Sequence, residues 1–198
     1  MAIRMAKAED AVEILKIYKD YIQNSTITFE YTVPSVEEFA GRIKEILEKY
    51  PYLVFEENGK IGGYAYAHQF MVREASKWGA ELSVYLHPDF FGRGIGSAFY
   101  GALEDILYLQ GVQRLYGCVA SGNDSSIAMH KKEGFQEIAV FPKCGFKHGK
   151  WLDLIWLEKV IAERETPIPF QTVWQTEKEQ LTSMLQRRTT EIKGESGL

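Results

Sequence analysis

The stretch ELSVYLHPDFFGRGIGSAFYGAL, residues 81–103, changes its periodicity twice within two dozen residues. Leu82-Ser83-Val84-Tyr85-Leu86 carries large apolar and β-branched side chains and reads as a strand. Pro88, in His87-Pro88-Asp89, stops that strand, because proline has no N–H to give to a ladder. Gly92-Arg93-Gly94-Ile95-Gly96 is a glycine-spaced turn. A helix follows from about residue 97, with Phe99, Leu103, Ile106 and Leu107 at helical spacing on its inner face. Strand, glycine turn and helix N-terminus in succession make an anion site. The glycines let backbone N–H groups turn toward a ligand, and the helix dipole favours negative charge there. With Arg93 adding a formal positive charge, the stretch reads as a pyrophosphate cradle. The competing reading is a mere tight turn.

Two phosphate-binding motifs are excluded by single positions. The dinucleotide fingerprint GxGxxG fails because Ser97 or Phe99 stands where the third glycine is needed. The P-loop fails because no Gly-Lys-Ser/Thr closes the turn. What remains resembles the acyl-CoA signature of the GNAT acetyltransferase superfamily, Gln/Arg-x-x-Gly-x-Gly/Ala after a strand. Here it is Phe91-Gly92-Arg93-Gly94-Ile95-Gly96, with Phe91 at the first position.

The 198 residues suffice for one sizeable domain, and a net charge of -4 gives no general attraction to nucleic acid or an anionic membrane. Any bound phosphate must be held by local geometry. Cys118 and Cys144 form no CxxC pattern, so a reducing cytoplasm is the expected compartment. No apolar run is long enough to span a bilayer, and no secretory leader is recognised. The four histidines show no metal-ligand spacing, so no metal is expected and His68 and His87 are left structural.

Along the chain, residues 2–5 read as a short strand and residues 9–22 as an amphipathic helix with Val12, Ile14, Leu15, Ile17, Tyr18 and Tyr21 on its apolar side. Ser35 and Glu38 form a capping box for a second helix that runs to about residue 49, before Pro51. Strands at 52–55 and 61–67 flank Asn58-Gly59, a hairpin signal. Residues 69–77 are a polar connection. Strand 115–119, helix 125–132, a strand from Gly134-Phe135 to about residue 141 and strand 150–157 complete residues 1–165. The order predicts an α/β sandwich, a mixed, mostly antiparallel sheet flanked by helices. Residues 166–198 read as a polar extension, partly helical, surface- or partner-facing, with only Leu181, Met184, Leu185 and Ile192 apolar.

Several stretches resemble the phosphinothricin and methionine sulfoximine acetyltransferase group of GNAT enzymes. They are Asn24-Ser25-Thr26 through Phe29-Glu30, Tyr50-Pro51-Tyr52-Leu53-Val54, Arg73-Glu74-Ala75 with Trp78, the strand from Glu81 to Leu86, and Gly145-Phe146-Lys147-His148-Gly149-Lys150-Trp151. The resemblance spans roughly residues 2–160 and implies the GNAT fold, acetyl-CoA as cosubstrate, a small amine as acceptor and a homodimer. It makes Glu81 the general base, directly or through water; on the residues alone Glu81 reads first as a solvated strand-end carboxylate. His130, in Met129-His130-Lys131-Lys132, takes the place of the proton donor to the leaving thiolate, with a packing histidine as the alternative. Main-chain groups of Val84, Tyr85 and Leu86 are implied to hold pantetheine like an added strand. Residues 92–97, Gly92 through Ser97, hold the pyrophosphate, and Asn123 contacts pantetheine or simply caps the next helix.

On the acceptor side the resemblance implies Phe29, Arg73, Ser83 and His148, with Arg73 binding an α-carboxylate bidentately. The group's usual basic residue and tyrosine are replaced by Met71 and Ser76, so this chain has one charge and one ring fewer there. The expected activity is acetylation of a small amino-acid-like amine. The alternatives are another small amine or a peptide N-terminus, or a CoA-binding module without catalysis, which would not need both Glu81 and Arg73.

Overall fold

Asn58 and Gly59 both adopt positive φ, 52° and 75°, the geometry a two-residue hairpin turn requires. They join the second and third of the seven strands among the described residues, Ala2–Met5 (β1), Tyr52–Glu57 (β2), Lys60–Gln69 (β3), Gly79–Leu86 (β4), Arg114–Ala120 (β5), Gln136–Lys147 (β6) and Lys150–Val160 (β7). The computed structural model describes residues 1–193. Its sheet has the order β1-β2-β3-β4-β5-β7-β6, and β4–β5 is its parallel pair. The expected mixed, mostly antiparallel α/β sandwich is what forms.

Among the described residues five α-helices flank the sheet: Ala11–Asn24 (α1), Val36–Leu47 (α2), Ile95–Leu109 (α3), Asp124–Lys132 (α4) and Lys178–Thr190 (α5). Ser35 caps α2 by accepting from the Glu38 N–H at 3.1 Å, while the Glu38 carboxylate turns to Arg42 at 2.7 Å. Half of the expected capping box is therefore an i,i+4 ion pair. Alternate residues of each strand face opposite sides. Tyr52, Val54 and Tyr64 pack under α1 and α2, whereas Leu53, Phe55, Ala65, Leu82 and Leu115 pack under α3. Phe99, Leu103, Ile106 and Leu107 are fully buried in that second core, as their spacing requires, but Val12 on α1 is half-exposed.

Two elements depart from expectation. β6 continues past residue 141 to Lys147, with its register shifted between Phe141 and Gly145. It is the last strand in the sheet order, so Pro142 breaks no interior ladder. The polar extension is not a loosely attached surface helix. Val173, Leu181, Leu185 and Ile192 are buried in the same core as α3, because that sparse stripe is enough to cover one helix face. Residues 194–198 of the expected extension lie outside the described residues.

Candidate active site

β4 and β5 are paired only at Gly79–Arg114, Ala80–Leu115 and Glu81–Tyr116. Beyond Glu81 they part, while β4 stays paired with β3 as far as Leu86. Residues 82–86 therefore turn one backbone edge into a wedge between two parallel strands, the place where open α/β sheets bind ligands. Val84, Tyr85 and Leu86 lie on that edge. The Leu86 carbonyl already accepts from the Tyr21 hydroxyl at 2.7 Å.

At the mouth of the wedge, Gly94 caps α3 at φ 87° and Gly92 has φ 76°, so the turn needs glycine at both positions. The helix starts at Ile95, two residues earlier than its hydrophobic spacing suggested, which brings the orphan N–H groups of its first turn right behind the glycines. A Cβ at Gly92 would meet nothing within 4 Å, so the concave side is open. Gly96 and Ser97 begin the first turn of α3 against Met129 of α4.

The Arg93 guanidinium, expected to add charge to the cradle, is paired with Glu57. Its two Nη atoms bind the Glu57 carboxylate at 2.9 and 2.7 Å, and its side chain is 11% exposed. The charge is neutralised at the end of β2, and the hydrogen bonds from Arg93 hold the Glu57 carboxyl below its usual range. The ammonium at the turn is Lys132, whose Nζ donates to Ser97 Oγ at 3.1 Å. The basic run at 130–132 was the sequence signal for it.

Glu81 is half-buried on the same sheet face as Ser83 and Tyr85, the face that carries α1 and α2. Burial pushes its carboxyl above the ordinary range, and the nearby His68 pulls it back down. His68 pairs with it across β3–β4 and brings Nε2 to 3.8 Å from Glu81 Oε2. Cross-strand register thus places beside the carboxylate a histidine that spacing arguments had left structural. His68 Nδ1 sits 3.0 Å from the Gln69 carbonyl, which can only accept, so Nδ1 carries a proton and Nε2 faces Glu81.

The same face holds Ser83, Tyr116, Cys118 and Trp156. Phe70 stacks on Tyr116 with ring centroids 3.8 Å apart and meets Trp156 edge-on. The Trp156 indole N–H is buried and has no partner among the described residues. Burial, with the Glu81 charge adding to it, pushes the Cys118 thiol up to about 12, so Cys118 is a neutral wall and not a nucleophile. At the Gly79 end lies a cavity of about 810 Å³ lined by Phe70, Met71, Ser76, Trp78, Gly79 and Tyr116, among others. Arg73 is exposed in the connection that borders it, and among the described residues no carboxylate pairs with its guanidinium.

His130 takes the packing alternative. It is 4% exposed, packed where a Cβ at Gly117 would lie 2.2 Å from its Nε2. Its Nδ1 lies 2.8 Å from the Ser126 carbonyl, so it holds its proton there, and Nε2 accepts from the Tyr100 hydroxyl at 2.9 Å. Burial lowers its pKa, against the Ser126 bond, which raises it. Both ring nitrogens are thus engaged inside the fold, with the Nδ1 proton held on the Ser126 carbonyl. Asn123 caps α4 through Oδ1, which accepts from the Ser126 N–H at 3.3 Å.

On the far rim, the 25–31 loop is clamped to the tip of β6–β7. Lys147, buried, donates to the Thr28 carbonyl at 2.7 Å, Tyr31 donates to the Phe146 carbonyl, and Phe29 fills the space left by the missing Cβ of Gly145. Burial lowers the Lys147 pKa, opposed by the charge of Glu30. His148 is exposed in the turn at φ 48°. Glu158 is aligned with Tyr116, and Lys150 lies eight positions before it, roughly 26 Å of strand. His148 therefore stands at the hairpin tip, beyond the part of β7 that is aligned with Glu81 through Tyr116.

Residues 3–156 match the Acetyltransferase (GNAT) domain. The chain belongs to the GNAT acetyltransferase family. A phosphinothricin N-acetyltransferase of Alcaligenes faecalis is 32% identical over 171 residues, 84% of this chain and 86% of the relative. An L-methionine sulfoximine/L-methionine sulfone acetyltransferase of Salmonella typhimurium is 32% identical over 168 residues, 84% of this chain and 98% of the relative. Among solved structures, a GNAT phosphinothricin acetyltransferase from Sinorhizobium meliloti in complex with AcCoA superposes with a TM-score of 0.80 at 35% identity, covering 84% of this chain and 92% of that one.

As a GNAT enzyme the chain is an acetyl-CoA-dependent N-acetyltransferase, and its residues fit that cosubstrate. The glycine turn leaves room for a pyrophosphate, Lys132 supplies local charge, and the unpaired edge of β4 offers hydrogen-bonding groups to an extended pantetheine. Among the described residues no three His, Cys, Asp or Glu side chains gather as a metal site, and no helix is long and apolar enough to cross a membrane.

Proposed function

We propose that the chain acetylates the amino group of a small amino acid of the methionine sulfone, methionine sulfoximine or phosphinothricin type. The observation that carries the reading is the placement of Glu81, a half-buried carboxylate at the point where two parallel strands part. A thioester supplies the acetyl group already activated. The chain's tasks are to hold it, to present a neutral amine and to exclude water.

Glu81 takes the proton of the incoming ammonium, directly or through one water. A carboxyl lifted above its usual range is better matched to that proton, and general-base catalysis of this kind contributes about 10²–10⁴-fold. His68, 3.8 Å away, positions the carboxylate. Main-chain groups of residues 84–86 hold the pantetheine arm, and one N–H there faces the oxygen on which negative charge develops. Gly92, Gly94, Ile95, Gly96 and Ser97 hold the pyrophosphate through backbone groups, with Asn123 at the pantetheine. On the acceptor side Arg73 binds the α-carboxylate, Ser83 and Phe29 border the amine, and Phe70, Tyr116 and Trp156 form an aromatic wall. The unpartnered indole N–H of Trp156 suits an acceptor that carries sulfone, sulfoximine or phosphinate oxygens.

Ile138, Val140, Phe141 and Phe146 are exposed on the edge strand β6, and Trp151 is exposed on its neighbour β7. Such an apolar set on an open edge is what a second copy of the chain would cover, giving a homodimer. Trp151→Glu should shift the sedimentation coefficient to that of a monomer; a wild-type protein already monomeric at micromolar concentration contradicts the assembly. The free thiols of Cys118 and Cys144 suit a reducing cytoplasm.

Thiol release from acetyl-CoA, measured against methionine sulfone, methionine sulfoximine, phosphinothricin and a peptide beginning with alanine, tests the acceptor class. The amino-acid analogues should give the higher kcat/KM. Preference for the peptide would replace them with a protein N-terminus.

A further inference from the structure

The chain beyond the family match reaches back to the glycine turn. After β7 it crosses α3, where Gln110 donates to the Gln171 carbonyl at 2.8 Å. α5 then lies along α3. Arg188 binds Asp105 at 2.8 Å, and its guanidinium occupies space that only a glycine at 101 leaves, since a Cβ there would sit 2.6 Å from Arg188 Cζ. Thr189 accepts from the Ile3 N–H at 2.9 Å on the edge of β1. Ile192, 4% exposed, is buried in the same core as Ile95 and Phe99.

The last described residue makes a two-way clasp. The Lys193 N–H donates to the Arg93 carbonyl at 3.0 Å, and Arg93 Nε donates to the Lys193 carbonyl at 3.2 Å. The Glu191 carbonyl lies 3.7 Å from where a Cβ on Gly94 would stand. Arg93 is thus held from two sides, by Glu57 at the end of β2 and by residues 191–193. Its own backbone sits between the two positive-φ glycines of the cradle.

We infer that residues 191–193 are positioning residues of the phosphate-holding turn, so that this extension sets the affinity for the pyrophosphate of acetyl-CoA. The inference rests on the acetyl-CoA reading of that turn. A turn built on glycines has much backbone freedom to lose when a ligand orders it. A clasp that orders it beforehand removes that cost from binding. Fixing one residue's backbone corresponds to roughly a 10-fold change in affinity. Orientation of the acetyl group depends on the wedge and on Glu81, which the clasp does not touch, so turnover at saturation is independent of it.

The test compares the intact chain with a truncation after Thr190, using acetyl-CoA titration calorimetry and steady-state kinetics. The truncation should weaken acetyl-CoA about tenfold in both Kd and KM, leaving kcat and the acceptor KM within about twofold. A folded truncation with unchanged acetyl-CoA affinity overturns the inference. Should the truncation not fold, the intact protein decides. Linkage is reciprocal, so saturating acetyl-CoA must slow tryptic release of the C-terminal peptide by a comparable factor. Equal release with and without acetyl-CoA overturns it too. An intact chain that does not bind acetyl-CoA at all rejects the underlying reading instead, which sets the two failures apart.

Discussion

Gly145→Ala is the substitution that probes the acceptor rim without touching any group assigned to the chemistry. Gly145 is not among the positive-φ glycines, so alanine fits its backbone. The added Cβ would stand 2.2 Å from Phe29 Cε2 and 2.5 Å from Phe29 Cζ. Carbon atoms in contact rest about 3.5–4.0 Å apart, so the ring must retreat by about 1.5 Å. The loop can give, at an overpacking cost of about 1–3 kcal/mol. For a chain of this size that lowers Tm by about 2–12 °C. A displacement of about 1 Å at a positioning group can cost about 10²-fold. The expected result is therefore a loss near that size in kcat/KM for methionine sulfone, with acetyl-CoA KM unchanged, because the glycine turn lies at the α3 end of the wedge. In the double variant with Phe29→Leu the clash is relieved and Tm should recover, while the acceptor kcat/KM stays low. A single variant that loses several degrees of Tm but keeps its acceptor kcat/KM within twofold would refute the placement of Phe29 at the acceptor.

Glu81→Gln should lower turnover about 10²–10⁴-fold near neutral pH and recover partly at alkaline pH, where the amine loses its proton unaided; a wild-type pH–rate profile rules the base role out. The same variant should be more heat-stable at pH 7. Burial raises the Glu81 carboxyl in the fold, so its ionised form opposes folding above that raised value, and the gain should vanish as pH falls below the ordinary 4.5. Arg73→Ala should cost about 10–150-fold in kcat/KM for methionine sulfone, the equivalent of a charge-assisted bond of about 1.5–3 kcal/mol, and leave acetyl-CoA affinity alone. Loss of acetyl-CoA affinity instead would move Arg73 to the other side of the site. Met71→Lys should improve phosphinothricin more than methionine sulfone; equal improvement would make the lysine a general attractor.

The strand, glycine turn and helix at 81–103 were legible because each has a local cause: β-branched alternation, proline, glycine at two positive-φ positions, apolar spacing. The Asn58-Gly59 hairpin and the Ser35 cap were legible for the same reason. What depended on distant partners was not. Arg93 beside three glycines looks like a phosphate ligand until Glu57, 36 positions away, takes its charge. His68 shows no motif, and only the β3–β4 register sets it opposite Glu81. His130 fits a catalytic position by sequence, but Gly117 and Tyr100 enclose it. Leu181, Leu185 and Ile192 make a stripe too sparse to announce burial, and their burial depends on α3 presenting a matching face. The continuation of β6 beyond Pro142 was hidden because proline and glycine suppress strand propensity wherever the sheet edge is not known.

The seam between β4 and β5 makes this sheet almost two. Three residue pairs join a four-stranded block, β1 to β4, to a three-stranded block, β5 to β7. A cosubstrate held in that wedge as proposed, with its arm along one block and its far side on the other, would work as mortar. At a hundredfold excess over its Kd it adds about 2.7 kcal/mol to the stability of the whole. The protein would then read the abundance of its own acyl donor as heat resistance, with the core under α3 holding the two blocks when the donor is scarce.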